Sequence, residues 1–183
     1  MKSLLKTTVA TLMLGAGTAL AAENPMVGGA PMLAERNIVE NALNSADHTT
    51  LVAAVQAAGL VDALQGPGPM TVFAPVNAAF DMLPDGTVET LLEPDNQPML
   101  QRILTSHVVA GNLSGAEIMR RARASGDGFF HMETLSGAPL SAQVRGRSLW
   151  IHDQSGNAAR VTISDVNQSN GVIHVVNRVL LPR

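Results

Sequence analysis

The stretch Asn170-Gly171-Val172-Ile173-His174-Val175-Val176-Asn177-Arg178-Val179-Leu180-Leu181-Pro182 decides the reading of this chain. From Val172 to Val176 polar and apolar residues do not alternate, and His174 is the one polar interruption. A β-branched run of this kind predicts a strand covered on both faces and central in its sheet. Asn170-Gly171 predicts the tight turn that feeds it, because both residues adopt positive φ at little cost. The four β-branched side chains of this run contribute roughly 1.5–3 kcal/mol each when buried. The rest of the chain must therefore supply layers that cover this strand.

Those layers are readable upstream. Phe129 to Leu135, Leu140 to Arg145, Leu149 to Asp153 and Arg160 to Val166 show period-two patterning between turns at Ser136-Gly137, Gly146-Arg147 and Ser155-Gly156-Asn157. They predict an antiparallel meander with one covered face. Met70 to Pro75 predicts one earlier strand, ended by its proline. Before and between these pieces the spacing is helical. Leu51, Val52, Val55 and Ala58 follow Asp47 as the expected cap, and Gly59-Leu60 fits a left-handed helix end. Leu100, Ile103, Leu104 and His107 form an i, i+3, i+4, i+7 stripe, while Asn77 is expected to cap a short helix through Phe80. Ser114 and Glu117 have capping-box spacing ahead of Ile118 and Met119. Helices mostly first and strands mostly second make the expected class α+β.

Residues 1–21 read as a signal peptide: Lys2 and Lys6, an apolar core from Val9 to Leu20, then Ala19-Leu20-Ala21. That core is too short to span a bilayer, and no later apolar run approaches the roughly 20 residues a span requires. Residues 22–36, with Pro25, Gly28, Gly29 and Pro31, read as an extended leader, and 37–183 as one domain. The formal charge is −3, from 12 basic and 15 acidic residues; without the two lysines, ten arginines face 15 acids, a balance of −5. An exported acidic chain argues against nucleic acid as a partner. There is no cysteine. No thiol nucleophile, disulfide or lipidated cleavage-site cysteine is therefore available. The expected location is periplasmic or secreted.

His107 and His174 are the polar residues most deeply set in apolar sequence. A proton-transfer pair or metal ligands is one reading of them. The preferred one is packing, with each neutral ring donating to a buried carbonyl and accepting from an amide. Asn77 joins them as a structural polar residue. The remaining histidines show no H-x-x-x-H or H-x-H pair, so neither a metal nor another cofactor is expected. No G-x-S-x-G elbow or phosphate loop occurs, and an enzyme is not expected. Arg120, Arg121 and Arg123 would suit an anionic glycan or lipid head group; the preferred reading is a solvated helix face.

Three stretches together resemble the fasciclin domain. Thr71-Val72-Phe73-Ala74-Pro75-Val76-Asn77-Ala78-Ala79-Phe80 is similar to that family's first signature. Asn170 to Pro182 is similar to its second, and Leu104-Thr105-Ser106-His107-Val108-Val109-Ala110-Gly111 to the segment between them. The resemblance covers about residues 37–183, and the leader is similar to that of exported single-domain bacterial members. It implies a β-wedge of two sheets flanked by short helices, working outside cells as an adhesion or interaction module on a protein, matrix or envelope component. In animal relatives a Tyr-His pair and an Asp-Ile pair are implicated in integrin contact. Ser106-His107 and Asp165-Val166 stand at those positions here, so these four are the partner-binding candidates. The missing tyrosine removes a large amphipathic contact. The alternative is a carrier of a small apolar ligand such as a carotenoid or lipid, as in some algal relatives; the Met- and Ala-rich helices and the apolar leader suit a groove.

Overall fold

The computed structural model describes residues 24–183. The segment read as a signal peptide lies outside them. The leader folds into a small hairpin, β1 (Met26–Val27) with β2 (Ala30–Pro31). It is anchored, since Val27 and Met32 are buried and the Asn24 amide group exchanges two hydrogen bonds with the Asn167 main chain. The helical layer follows: α1 (Ile38–Asn44), α2 (Thr49–Ala57) and α3 (Val61–Gln65). After β3 (Met70–Pro75) come α4 (Asn77–Phe80), α5 (Thr87–Leu91), α6 (Gln97–Thr105), the short β4 (Val108–Ala110) and α7 (Gly115–Ala124). Five strands finish the chain: β5 (Phe129–Glu133), β6 (Pro139–Arg145), β7 (Ser148–His152), β8 (Ala158–Gln168) and β9 (Gly171–Val176). The class is α+β, as the patterning predicts.

The spatial order is β4-β3-β9-β8-β7-β6-β5. All six residues of β9 are buried, and it runs parallel to β3 and antiparallel to β8. The predicted meander is therefore real, with β3 inserted beside its last strand. The eleven-residue β8 serves two sheets. Its start pairs with β7, and its remainder, from Val161 on, pairs with β9 through register shifts at Val161/Ile163 and Ile163/Val166. Such bulges bend a strand and add twist, which lets one strand turn the corner of the wedge. The outer strands nearly meet: Val109 bridges Thr134, and the Leu135 amide donates to the Val108 carbonyl at 2.8 Å.

Two cores follow from this geometry. Val72, Ala74, Ile173 and Val175 face the helices, packing with Leu51, Val55, Leu100 and Leu104. Phe73, Val109 and Val176 point into the wedge, against Leu140, Ala142, Leu149 and Ile151, with Ile118 of α7 as the plug. The absence of alternation in β9 thus has its cause in two apolar layers.

The structure corrects three local expectations. Neither Asn170 nor Gly171 has positive φ. The turn is Ser169-Asn170. Gly171 is needed because a Cβ there would lie 2.0 Å from the Met70 carbonyl oxygen. Asp47 does not cap α2; it sits in a 3-10 turn (Ala46–His48). Asn77 does not cap its own helix either. Its Oδ1 accepts from the Thr50 amide at 3.0 Å and its Nδ2 donates to the Ala46 carbonyl at 2.9 Å, so it caps α2 from a distance. Gly59 behaves as predicted, with φ +68 and the Leu60 amide donating back to Val55 at 3.1 Å.

Candidate functional site

Ser106 and His107 end α6 and lead into β4. Both are inside, at 1% and 2% exposure. The Ser106 hydroxyl turns back to donate to the Ile103 carbonyl. His107 Nδ1 donates to the same carbonyl at 2.8 Å, and its Nε2 accepts the Leu180 amide at 2.9 Å. This neutral tautomer ties α6 to the segment after β9. Burial pushes the ring down to about 4, against the pull of the Ile103 carbonyl and Asp153.

His174 is fully buried, stacked on Phe73 with ring centroids 5.6 Å apart. Its Nε2 donates to the Leu113 carbonyl at 2.8 Å and its Nδ1 accepts the Asp165 amide at 3.3 Å. Burial also lowers its pKa, with Leu113 and Asp165 opposing. Asp165 sits in the β8 bulge at φ 60, the one non-glycine residue with positive φ among the described residues. Its Oδ1 accepts the Gly115 amide at 2.7 Å, at the start of α7. A carboxylate there satisfies an orphan helix donor and complements the dipole. Val166, the next residue, is fully covered.

Of the four partner-contact candidates, Asp165 is the one with appreciable exposure; Ser106, His107 and Val166 offer a partner no surface. His107 and His174 do not converge on an open cleft. Each has both ring nitrogens engaged, and all four partners are main-chain groups: the Ile103 carbonyl and Leu180 amide for His107, the Leu113 carbonyl and Asp165 amide for His174. Among the described residues, no group of three or more His, Asp or Glu side chains is arranged to hold a metal ion.

Two polar residues matter more than the sequence reading shows. Asn170 accepts the Ile38 amide at 3.1 Å and donates to the Leu64 and Gly66 carbonyls at 2.8 and 2.9 Å. It fastens α1 and α3 to the β8–β9 turn. Asp153 accepts from the Ser155 and Asn157 amides and, at 2.8 Å, from Leu181. Its Asp-x-Ser-Gly-Asn context signals the turn, yet nothing local signals the Leu181 contact.

A cavity of about 120 Å³ opens between α1–α3 and the helix-facing side of β3 and β9. Its walls include Ile38, Leu51, Val55, Val72 and Ile173. His48 is its most unusual wall. The ring is 3% exposed, Nδ1 lies 2.9 Å from the Ser45 hydroxyl, and Nε2 has no hydrogen-bond partner among the described residues. Burial lowers its pKa; the Ala74 main chain and Asp47 offset this only in part.

A two-sheet wedge with a shared bulged strand, a glycine-gated parallel pair and a helix plug defines a β-wedge type of domain. The fasciclin domain family model matches residues 46–182, and the chain belongs to that family. It is 46% identical over 145 residues to Protein sll1483 of Synechocystis, covering 79% of this chain and 73% of that protein. It is 36% identical to Immunogenic protein MPB70 of Mycobacterium bovis, covering 77% and 66%. With the Cell surface glycolipoprotein MPB83 of the same species it shares 33% identity, covering 93% and 72%. The fold is also that of a FAS1 domain pair from the insect cell adhesion molecule Fasciclin I, with TM-score 0.57 and 21% identity, over 69% of this chain and 42% of that one.

Proposed function

We propose that the protein is an exported interaction module, periplasmic or secreted, that acts through its surface on a protein, matrix or envelope component. The observation that carries this reading is how the interior polar groups are used. His107, His174, Asn170 and Asp153 spend their hydrogen bonds holding elements together, which leaves the outside to do the work. The insect cell adhesion molecule and the mycobacterial cell surface protein support the same direction. No helix among the described residues is long and apolar enough to cross a membrane. Within the region that the family resemblance points to, the contact falls to Asp165, while Ser106 and His107 are tied to Ile103 and Leu180 and Val166 is buried. A deletion strain should attach differently to cells or surfaces, and the wild-type gene should restore attachment. Asp165→Asn, which keeps a residue tolerant of positive φ, should restore less. Unchanged attachment on deletion sinks the reading.

The cavity favours a second reading, a carrier of a small apolar ligand. Apolar cavities near this size stay dry and take up a molecule such as benzene. A space of about 120 Å³ accepts one ring or a chain end. A carotenoid would need α1–α3 to part from the sheet. Protein purified without denaturant should then bring extractable lipid or visible absorbance, lost in Leu51→Trp. Colourless, lipid-free protein excludes this role.

A further inference from the structure

Charge is divided sharply along this chain. Residues 24–100 hold nine acids and one arginine, net −8, whereas residues 101–183 hold nine arginines and five acids, net +4. Within the basic half the arginines are not equivalent. Arg120 and Arg121 are held by Glu117 at 2.6 and 2.5 Å, and Arg121 also lies over the Phe130 ring. The side chains of Arg147 and Arg160 make no ion pair or hydrogen bond among the described residues.

These two arginines flank an opening built into the topology. β7 and β8 pair only between Trp150–His152 and Ala158–Arg160. Past Arg160, β8 swings away to pair with β9, so Ser148 and Leu149, paired with β6 on one side, have no strand on the other. The resulting split has a volume of about 370 Å³; beside the two arginines its walls include Met119, Ser148, Thr162 and Ser164, and no acid. Just beyond it, Trp150 pairs in register with Arg160 and lies under Arg145 at 5.2 Å. Two free guanidinium forks, hydroxyl-bearing residues and an open strand edge suit a carboxylate, phosphate or sulfate group. The half-exposed indole gives the apolar face of an adjoining sugar ring a flat surface. The large exposed apolar side chains, Met26, Leu43, Met82, Met99 and Leu135, do not line the split, which disfavours insertion into a lipid surface here.

We infer that the split between β7 and β8 is a binding groove for an acidic polysaccharide, an anionic group seating between Arg147 and Arg160 and a neighbouring sugar on Trp150. This rests on the interaction-module reading above. It also names a contact surface that Asp165 does not line, although its neighbour Ser164 does.

The test titrates full-length mature protein with alginate oligosaccharides, neutral dextran and vesicles containing phosphatidylglycerol. Alginate should bind and dextran should not, with affinity falling as salt rises through the Debye-screening range. R147S/R160S should weaken alginate binding by about tenfold or more, while R120S/R123S, with equal charge loss, should change it less than about threefold. All four positions are exposed, so folding should be unaffected. Equal losses in both pairs reduce the effect to net charge and overturn the groove. So do absent alginate binding, binding to vesicles alone, or charge-dependent dimers in sedimentation that alginate does not dissolve. The two readings fail separately: deletion without effect on attachment removes the module reading, whereas normal rescue by R147S/R160S removes only the groove.

Discussion

At His174 a single ring joins three parts of the chain: the segment before α7 through Leu113, the β8 bulge through Asp165, and Phe73 of β3 through stacking. Truncation leaves a buried carbonyl and amide unmatched and opens a small cavity. His174→Ala should therefore cost about 1–3 kcal/mol. Arg121→Ala removes an exposed ion pair and should cost less than about 1 kcal/mol. Urea midpoints of the two variants check the ordering. The roles of both histidines were legible because each interrupts an apolar run, where an unpaired imidazole would be costly. Their partners were not legible, since Leu113 lies 61 residues from His174 and Leu180 lies 73 from His107. The role of Asn170 is hidden in the sequence for a related reason. Asn-Gly before a strand has a sufficient local explanation as a turn, and that explanation masks three long-range hydrogen bonds.

Helix α2 shows the same effect at the scale of an element. It begins after His48 without a side-chain cap of its own, and Asn77 supplies one from the start of α4. Asn77→Ala should cost about 0.5–2 kcal/mol and speed hydrogen exchange at the Thr50 amide, with little change in the exchange of α4 amides. Slow exchange at Thr50 in the variant would show that Asn77 is not the cap. Among strands, β3, β5, β6, β7 and β9 are readable from period and turn chemistry. The three residues of β4 are too few to show a period, and its covered face arises only once β3 is beside it. The full length of β8 does not show in the sequence because its bulges break the alternation that marks a strand. Parallel pairing of β3 with β9 has no local signature; it depends on Gly171 admitting the Met70 backbone.

For the whole molecule, the buried histidines set the response to acid. His107, His174 and His48 all have folded pKa values below the ordinary 6.5, because burial penalises the charged ring. Above about pH 7.5 both folded and unfolded rings are neutral and contribute no pH dependence. As pH falls through 6.5 the unfolded chain binds protons that the folded one refuses, so stability declines, and for His107 the decline ends near pH 4. That residue alone accounts for up to about 3 kcal/mol across the window. Denaturant midpoints should be flat at alkaline pH and drop between pH 6.5 and 4, with a shallower drop in His107→Gln; a flat profile through pH 5 contradicts the neutral rings. The clasp that His107 and Asp153 place on Leu180 and Leu181 has a mechanical consequence. Tension applied at the carboxyl end meets these two bonds before it reaches β9, and β9 then resists in shear between two neighbours. A protein that tethers would thus take strain at a breakable latch while its central ribbon stays intact.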